Sequence, residues 1–156
     1  FKVPENFNNP FIATNIGDFW RRWHITLSRV LLDSIYTPFK NAMLYVTQHH
    51  LKVSSNNIIA LIMIYVVCYL ITFIISGFWH GSAKHFIVWG IWHGVGLSIR
   101  RIYRTLFNAD TYFTNTSRPV YKIYIGLSWF VTFSYVTIGW AFFHYRLDTI
   151  VAVFNG

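Results

Sequence analysis

The sequence predicts an all-α protein that sits in a membrane. Three observations carry that expectation. Apolar residues make up 54% of the 156-residue chain and charged residues 12%, which is about half the charged share of an ordinary soluble domain. Aromatic residues reach 21%, with seven Trp, ten Tyr and fifteen Phe, a composition suited to the aromatic belts at membrane–water interfaces. Ile58 to Trp79 runs 22 residues without a charge, about 33 Å as a helix and long enough to cross a bilayer.

The length allows one domain, 1–156. The formal net charge is +8. The Lys and Arg residues lie between apolar runs, so they point to membrane topology and anionic headgroups rather than nucleic acid. Cys68 is the single cysteine and lies inside an apolar run. It supports neither an intrachain disulfide nor a Cys-based zinc site, and it reads as a small packed hydrophobe. The chain opens on Phe1-Lys2-Val3-Pro4-Glu5-Asn6 without a start Met or signal peptide, so a fragment of a longer polytopic protein is expected.

Residues 1–16 are rich in Pro and Asn and lack a period. They read as an ordered loop that feeds a helix. Residues 18–36 are amphipathic at helical spacing, with Trp20, Trp23, Leu27, Val30 and Leu31 on one stripe and Arg22, Arg29 and Asp33 opposite. Asp18 is the expected N-cap. This run is too charged to span, and fits a helix at the interface or against a bundle. His24 falls at the stripe's edge with Ser28 one turn on. Either His24 bonds a neighbour or it is presented to a pocket.

Residues 37–57 read as a connector, with His49 and His50 exposed and without a role. Residues 58–79 form the clearest span, and Ser76-Gly77 near its end would allow close packing or a kink. Residues 85–99 are apolar but short and carry Gly90, Gly94 and Gly96. They form a short buried helix or part of a longer one starting near Ser82. Arg100 to Lys122 is a basic connector. Residues 123–145 form a second spanning candidate with His144 at its edge, and the last residues continue as a short amphipathic piece. Basic residues precede the first span and recur in 100–122, so the positive-inside rule puts 1–57 and 100–122 on the cytoplasmic side, with 80–85 outside.

The chemistry gathers in Ser76–Gly94. Two triplets, Trp79-His80-Gly81 and Trp92-His93-Gly94, lie in this apolar stretch. Histidine is costly in such surroundings, and its pKa suits it to proton transfer near neutral pH. A metal site is not expected. The spacing of His80, His85 and His93 does not match a helical zinc pair, and no Asp or Glu lies between Ser34 and Ala109. Were residues 80–94 one helix, His80 and His93 would lie about 20 Å apart on nearly opposite faces. They would then not share a site, and either could be the functional one. A His beside Gly suits general-base chemistry at a hydroxyl, because glycine lets a substrate approach the backbone. There is no G-x-S-x-G elbow and no nearby acid for a triad, so direct transfer assisted by His fits better than a covalent serine enzyme.

PENFNNPF (4–11), DFWRRWHITLS (18–28), SGFWHGSAKHFIVWGIWHG (76–94) and GWAFF (139–143) resemble, in order, motifs of the membrane-bound O-acyltransferase family, closest to its alginate O-acetyltransferase branch. The resemblance covers most of the chain. It implies a polytopic helical membrane enzyme of the bacterial inner membrane, of which this chain is roughly the C-terminal part, with its active site in a funnel or tunnel.

It implies transfer of an acyl group, expected to be acetyl, from a thioester donor to a hydroxyl of an exported polysaccharide or cell-envelope glycan. It also maps the invariant family histidine onto His80 and a second motif histidine onto His24. His80 is then the expected base, and His24 positions the acceptor or polarises the thioester carbonyl. Trp79, Gly81, Trp20, Trp23, Ser28 and Asp33 are the expected substrate-side residues, and His93 packs or orients. The two catalytic rings should face a common cavity. An acyl thioester is the expected co-substrate, with no bound cofactor and no metal. The bilayer, the donor, the polysaccharide and an extracytoplasmic partner acyltransferase are the expected partners.

Three departures bear on substrate choice. Leu32-Asp33-Ser34 stands where relatives usually read Arg-Asp-Tyr, and Pro38-Phe39-Lys40 replaces a Pro-Leu-Gly-Gly turn. The 39–57 connector differs, and Lys84 and His85 are more charged than expected. D-alanyl transfer from a carrier protein to teichoic acid is the alternative in the same class. A transporter or channel using an intramembrane His as proton relay is the rival from another class. Such proteins often show inverted repeats, and none is visible here.

Overall fold

The computed structural model describes residues 3–54, 56–107, 119–145 and 149. Among them every regular element is helical: α1 (Ile16–Arg22), α2 (Ile25–Leu31), a π segment (Leu32–Tyr36), α3 (Thr37–His49), α4 (Ile58–His80), α5 (Lys84–Phe107) and α6 (Pro119–His144). The expected amphipathic piece after 145 and Arg118 of the basic connector fall outside the description, apart from residue 149.

The long helices α4 and α5 form an antiparallel hairpin held by glycines. A Cβ on Gly77 would sit 2.4 Å from the Phe86 carbonyl oxygen, and one on Gly90 would sit 2.2 Å from that of Phe73. Only hydrogen fits at these crossings, so the backbones touch, as small residues allow in membrane helices. The chain reverses at Gly81-Ser82-Ala83. There the Gly81 N–H donates to the Gly77 and Phe78 carbonyls at 3.3 and 3.1 Å. Helix α6 packs on α5 through Trp92, whose ring stacks on Tyr135 at 4.5 Å. The two side chains bond reciprocally across the interface: Trp92 Nε1 donates to the Tyr135 carbonyl at 3.0 Å, and the Tyr135 hydroxyl donates to the Trp92 carbonyl. Arg101 lies 3.9 Å from the Tyr65 ring centroid at the basic end of the hairpin, where a guanidinium gains from the ring face.

Several boundaries differ from the sequence expectation. Residues 18–36 are not one helix. The chain leaves helical geometry at Trp23 and turns left-handed at His24, with φ 45° and ψ 55°. The stripe drawn for a continuous helix therefore fails at Val30, which is 57% exposed. The cap of α1 is Asn15, whose side chain accepts from the Asp18 N–H at 2.8 Å. Asp18 instead binds Arg22 and Arg21 at 3.0 and 3.2 Å. Of the two placements open for this run, the bundle holds: Phe19 and Trp20 are buried in the same core as Phe73 and Trp89.

Residues 37–49 are helix α3 rather than connector, with Pro38 in the first turn, where its missing N–H costs nothing. His49 and His50 are exposed and pack on Tyr45. The 85–99 segment is part of a longer helix, α5. That helix carries Arg100, Arg101 and Arg104 on its last turns instead of in a loop.

Candidate active site where three helix ends meet

His80 is the last residue of α4. The helix starts at Ile58, so the His80 ring lies at its terminus and not midway along it. Four aromatic rings surround it. Trp79 (4.8 Å), Trp89 (5.2 Å) and Phe143 (5.0 Å) meet it edge-on, and Phe86 lies tilted at 6.2 Å. These rings come from α4, α5 and α6, so His80 marks the junction of three helix ends. Phe86 also fills the space beside Gly81, where an added Cβ would sit 2.7 Å from its ring. Glycine at 81 therefore lets Phe86 close over the turn.

The fourth contribution comes from the α1–α2 break. His24 lies within electrostatic range of His80, although 56 residues separate them in sequence. The break is held by the N-terminal loop. Asn6 accepts from the Ile25 N–H at 2.9 Å through its backbone carbonyl, and Asn8 donates its N–H to the Arg22 carbonyl at 2.9 Å. The Asn6 side-chain oxygen accepts from the Thr26 N–H at 3.1 Å and the Thr26 hydroxyl at 2.8 Å, and lies 3.2 Å from His24 Nδ1. A left-handed non-glycine residue costs about 1–2 kcal/mol, and this network offsets it. Sequence reasoning missed Asn6. The PENFNN stretch pointed to an ordered loop, but its partner lies 18 positions away.

His93 occupies a different environment. It is 1% exposed. Its ring is enclosed by Trp89 (5.1 Å), Trp20 (5.2 Å), Phe73 (6.2 Å) and Tyr135 (6.3 Å). Neither ring nitrogen has a hydrogen-bond partner among the described residues. The 20 Å separation expected for a continuous helix does not arise, because the chain reverses at Gly81–Ala83. His80 and His93 instead pack on the same indole, Trp89.

The remaining expected site residues divide. Gly81 and Trp79 adjoin His80, but Trp79 is 65% exposed and points away from the core. Ser28 donates to the Trp23 carbonyl at 3.1 Å, bracing the break. Trp23 packs on Phe19, Phe7 and Trp140 at 5.7, 4.9 and 5.4 Å. Trp20 packs in the core against His93. Asp33 is exposed on the π segment, apart from both histidines.

A cavity of about 410 Å³ opens beside α2 and α4, lined by Trp20, Ser28, Arg29, Tyr36, Thr72 and Phe73 among others. Neither His80 nor His24 lines it, contrary to the common cavity expected. Ile25 and Ser28, which follow His24, do. Both histidines are half-buried. Burial pushes the Tyr36 phenol well above its ordinary pKa, and a hydrogen bond with Tyr69 adds to this.

Helices that are long, apolar and largely uncovered define a helical membrane protein. In the 18-residue windows that qualify α4 and α6 as membrane-crossing candidates, only 22% and 17% of residues are buried. No family model matches the chain. It is 36% identical over 99% of its length to the peptidoglycan O-acetyltransferase of Helicobacter pylori, covering 25% of that protein. It is 33% identical over 92% of its length to the probable alginate O-acetylase AlgI of Azotobacter vinelandii, covering 23%. A stretch of 86 residues is 37% identical to the teichoic acid D-alanyltransferase of Bacillus subtilis, covering 20%. The chain thus spans about a quarter of the length of the curated relatives it matches. These similarities support the expected resemblance to the membrane-bound O-acyltransferase family.

Proposed function

We propose that this chain forms part of a multi-pass enzyme of the bacterial inner membrane that moves an acetyl group from an acyl thioester to a hydroxyl of an exported polysaccharide or cell-envelope glycan. The observation that carries the reading is a half-buried histidine, His80, at a junction of three helix ends, with His24 close enough to influence it electrostatically from a distant part of the chain. Relatives named for acetyl transfer to peptidoglycan and alginate support the acceptor class.

In this reading a ring nitrogen of His80 takes the proton of the acceptor hydroxyl as its oxygen attacks the thioester carbonyl. The C–O bond forms, the C–S bond breaks, and the thiolate leaves and is protonated. Gly81 lets Phe86 close against the turn beside His80, and the aromatic box limits the ring's motion. A general base of this kind contributes about 10²- to 10⁴-fold in rate. The acceptor glycan, reached with an extracytoplasmic partner acyltransferase, approaches from the His80 side, opposite the basic ends of the hairpin.

D-alanyl transfer is the second reading, favoured by the similarity to the teichoic acid enzyme over 55% of the chain. The test is acyl transfer by the full-length protein in proteoliposomes, offered acetyl and D-alanyl thioesters in competition. Acetyl transfer that depends on His80 supports the first reading. Preference for the D-alanyl donor selects the second, and solute flux without thioester cleavage would sink both.

A further inference from the structure

His24 can work in two ways: it can donate a hydrogen bond to a carbonyl, or accept one from a hydroxyl. Its ring proton decides which, and the surroundings of Asn6 decide where that proton sits. The Thr26 backbone N–H can only donate, and it lies 3.1 Å from the atom placed as Asn6 Oδ1. That atom must therefore be the amide oxygen, not the nitrogen. The same oxygen faces His24 Nδ1 at 3.2 Å. An oxygen that only accepts needs a protonated Nδ1 opposite it. A neutral His24 then carries its lone pair on Nε2.

We propose that Asn6 is a positioning residue that locks His24 in the Nδ1–H tautomer and so makes its Nε2 a hydrogen-bond acceptor for a hydroxyl of the glycan. His24 in this state cannot donate to a thioester carbonyl. Of its two expected roles, only acceptor positioning survives. A sugar offers neighbouring hydroxyls, so one can be held by His24 Nε2 while another gives its proton to His80.

The choice of an amide has a physical consequence. A carboxylate in place of Asn6 would orient the ring equally well but would favour the imidazolium, which has no lone pair. A neutral oxygen fixes the tautomer without that pull. The left-handed backbone at His24 serves the same end, since the turn brings Nδ1 back towards the loop. Thr26 completes the cradle, because its N–H and hydroxyl both hold the amide oxygen in place.

The kinetic consequence rests on the acyl-transfer reading; the tautomer does not, and it is measured separately. The full-length protein, with ¹⁵N-labelled histidine and a His24→Gln control to assign the resonance, is examined by NMR at a pH where histidine is neutral. The expected result is Nδ1–H in the native protein and a shift towards Nε2–H in Asn6→Leu. Native His24 in the Nε2–H form overturns the proposal whatever the activity shows.

Acyl transfer is then compared across Asn6→Leu and Asn6→Asp. Loss of the partner that orients a metal-bound histidine costs about 10- to 100-fold, and a loss of the same order is expected for this metal-free ring. Asn6→Leu should lose that much, with thioester KM little changed and acceptor KM raised. Measured at a pH high enough to keep His24 neutral beside a carboxylate, Asn6→Asp should recover most of the loss, because its carboxylate still accepts from Nδ1. Equal loss in both variants would mean that Asn6 only braces the loop, and would overturn the positioning role. An Nδ1–H tautomer in a protein without transfer activity would leave the tautomer lock standing and remove the acyl-transfer reading.

Discussion

The two Trp-His-Gly triplets share a tripeptide and little else. Trp79-His80-Gly81 closes a helix, so its His is half-buried, its Trp is 65% exposed and its Gly begins a reversal. Trp92-His93-Gly94 lies inside α5, so its His is 1% exposed and its Gly admits the Leu70 backbone, whose Cα would be 3.1 Å from an added Cβ. A histidine at a helix end can meet a substrate. One in mid-helix between Trp20, Trp89 and Tyr135 cannot do so without moving the core. The difference lies in the end of α4, not in the residues of the triplets themselves.

The strongest way to break the contrast is to remove each histidine in turn. His80→Ala should lower acyl transfer by about 10²- to 10⁴-fold, the contribution of a general base, with helical content by circular dichroism unchanged. Near-normal turnover in a folded His80→Ala protein would remove His80 from the chemistry. His93→Leu should keep transfer within an order of magnitude. It should also raise thermal stability in detergent, since a buried polar group without a partner costs about 1–3 kcal/mol. A drop in transfer matching that of His80→Ala would place His93 in the reaction and erase the distinction.

The packing that separates the triplets can also be tested. Gly90→Val would drive a side chain against the Phe73 carbonyl, and overpacking of this kind costs about 1–3 kcal/mol. The obstacle is backbone, so the helices must part. A lower melting temperature together with loss of transfer is expected, because Trp89 would no longer seat between the two histidines. A Gly90→Val protein as stable as the native one would show that the close crossing is not required. The smallest effect belongs to Trp92→Phe. It keeps the stack on Tyr135 but deletes the hydrogen bond to the Tyr135 carbonyl, worth about 1 kcal/mol. A stability loss of that size with unchanged transfer kinetics would keep the second triplet structural.

Much of this was legible in the chain. The charge-free run at 58–79 had to be a helix, and the helix observed ends one residue later, at His80. The glycine-rich stretch had to pack closely, and Gly77 and Gly90 do. The α1–α2 break was not legible, since the periodic stripe continues through Trp23 and His24 with no glycine or proline to interrupt it. The left-handed turn there depends on Asn6 and Asn8, which are distant partners that no local propensity encodes. The helical nature of 37–49 was also hidden, because Pro38 and the polar Asn41, Thr47 and Gln48 read as a connector.

Sequence by itself determined that the chain is helical, that it has segments long and apolar enough to cross a membrane, and that histidines lie in its apolar stretches. These follow from composition and from 3.6-residue periodicity, which are local properties of the chain. Tertiary structure decided which histidines meet. The reversal at Gly81 folds α5 back on α4 and puts His80 and His93 on one indole, while the loop at Asn6 holds His24 in its left-handed turn. Pairings of this kind depend on contacts between residues tens of positions apart, and no pattern along the chain records them.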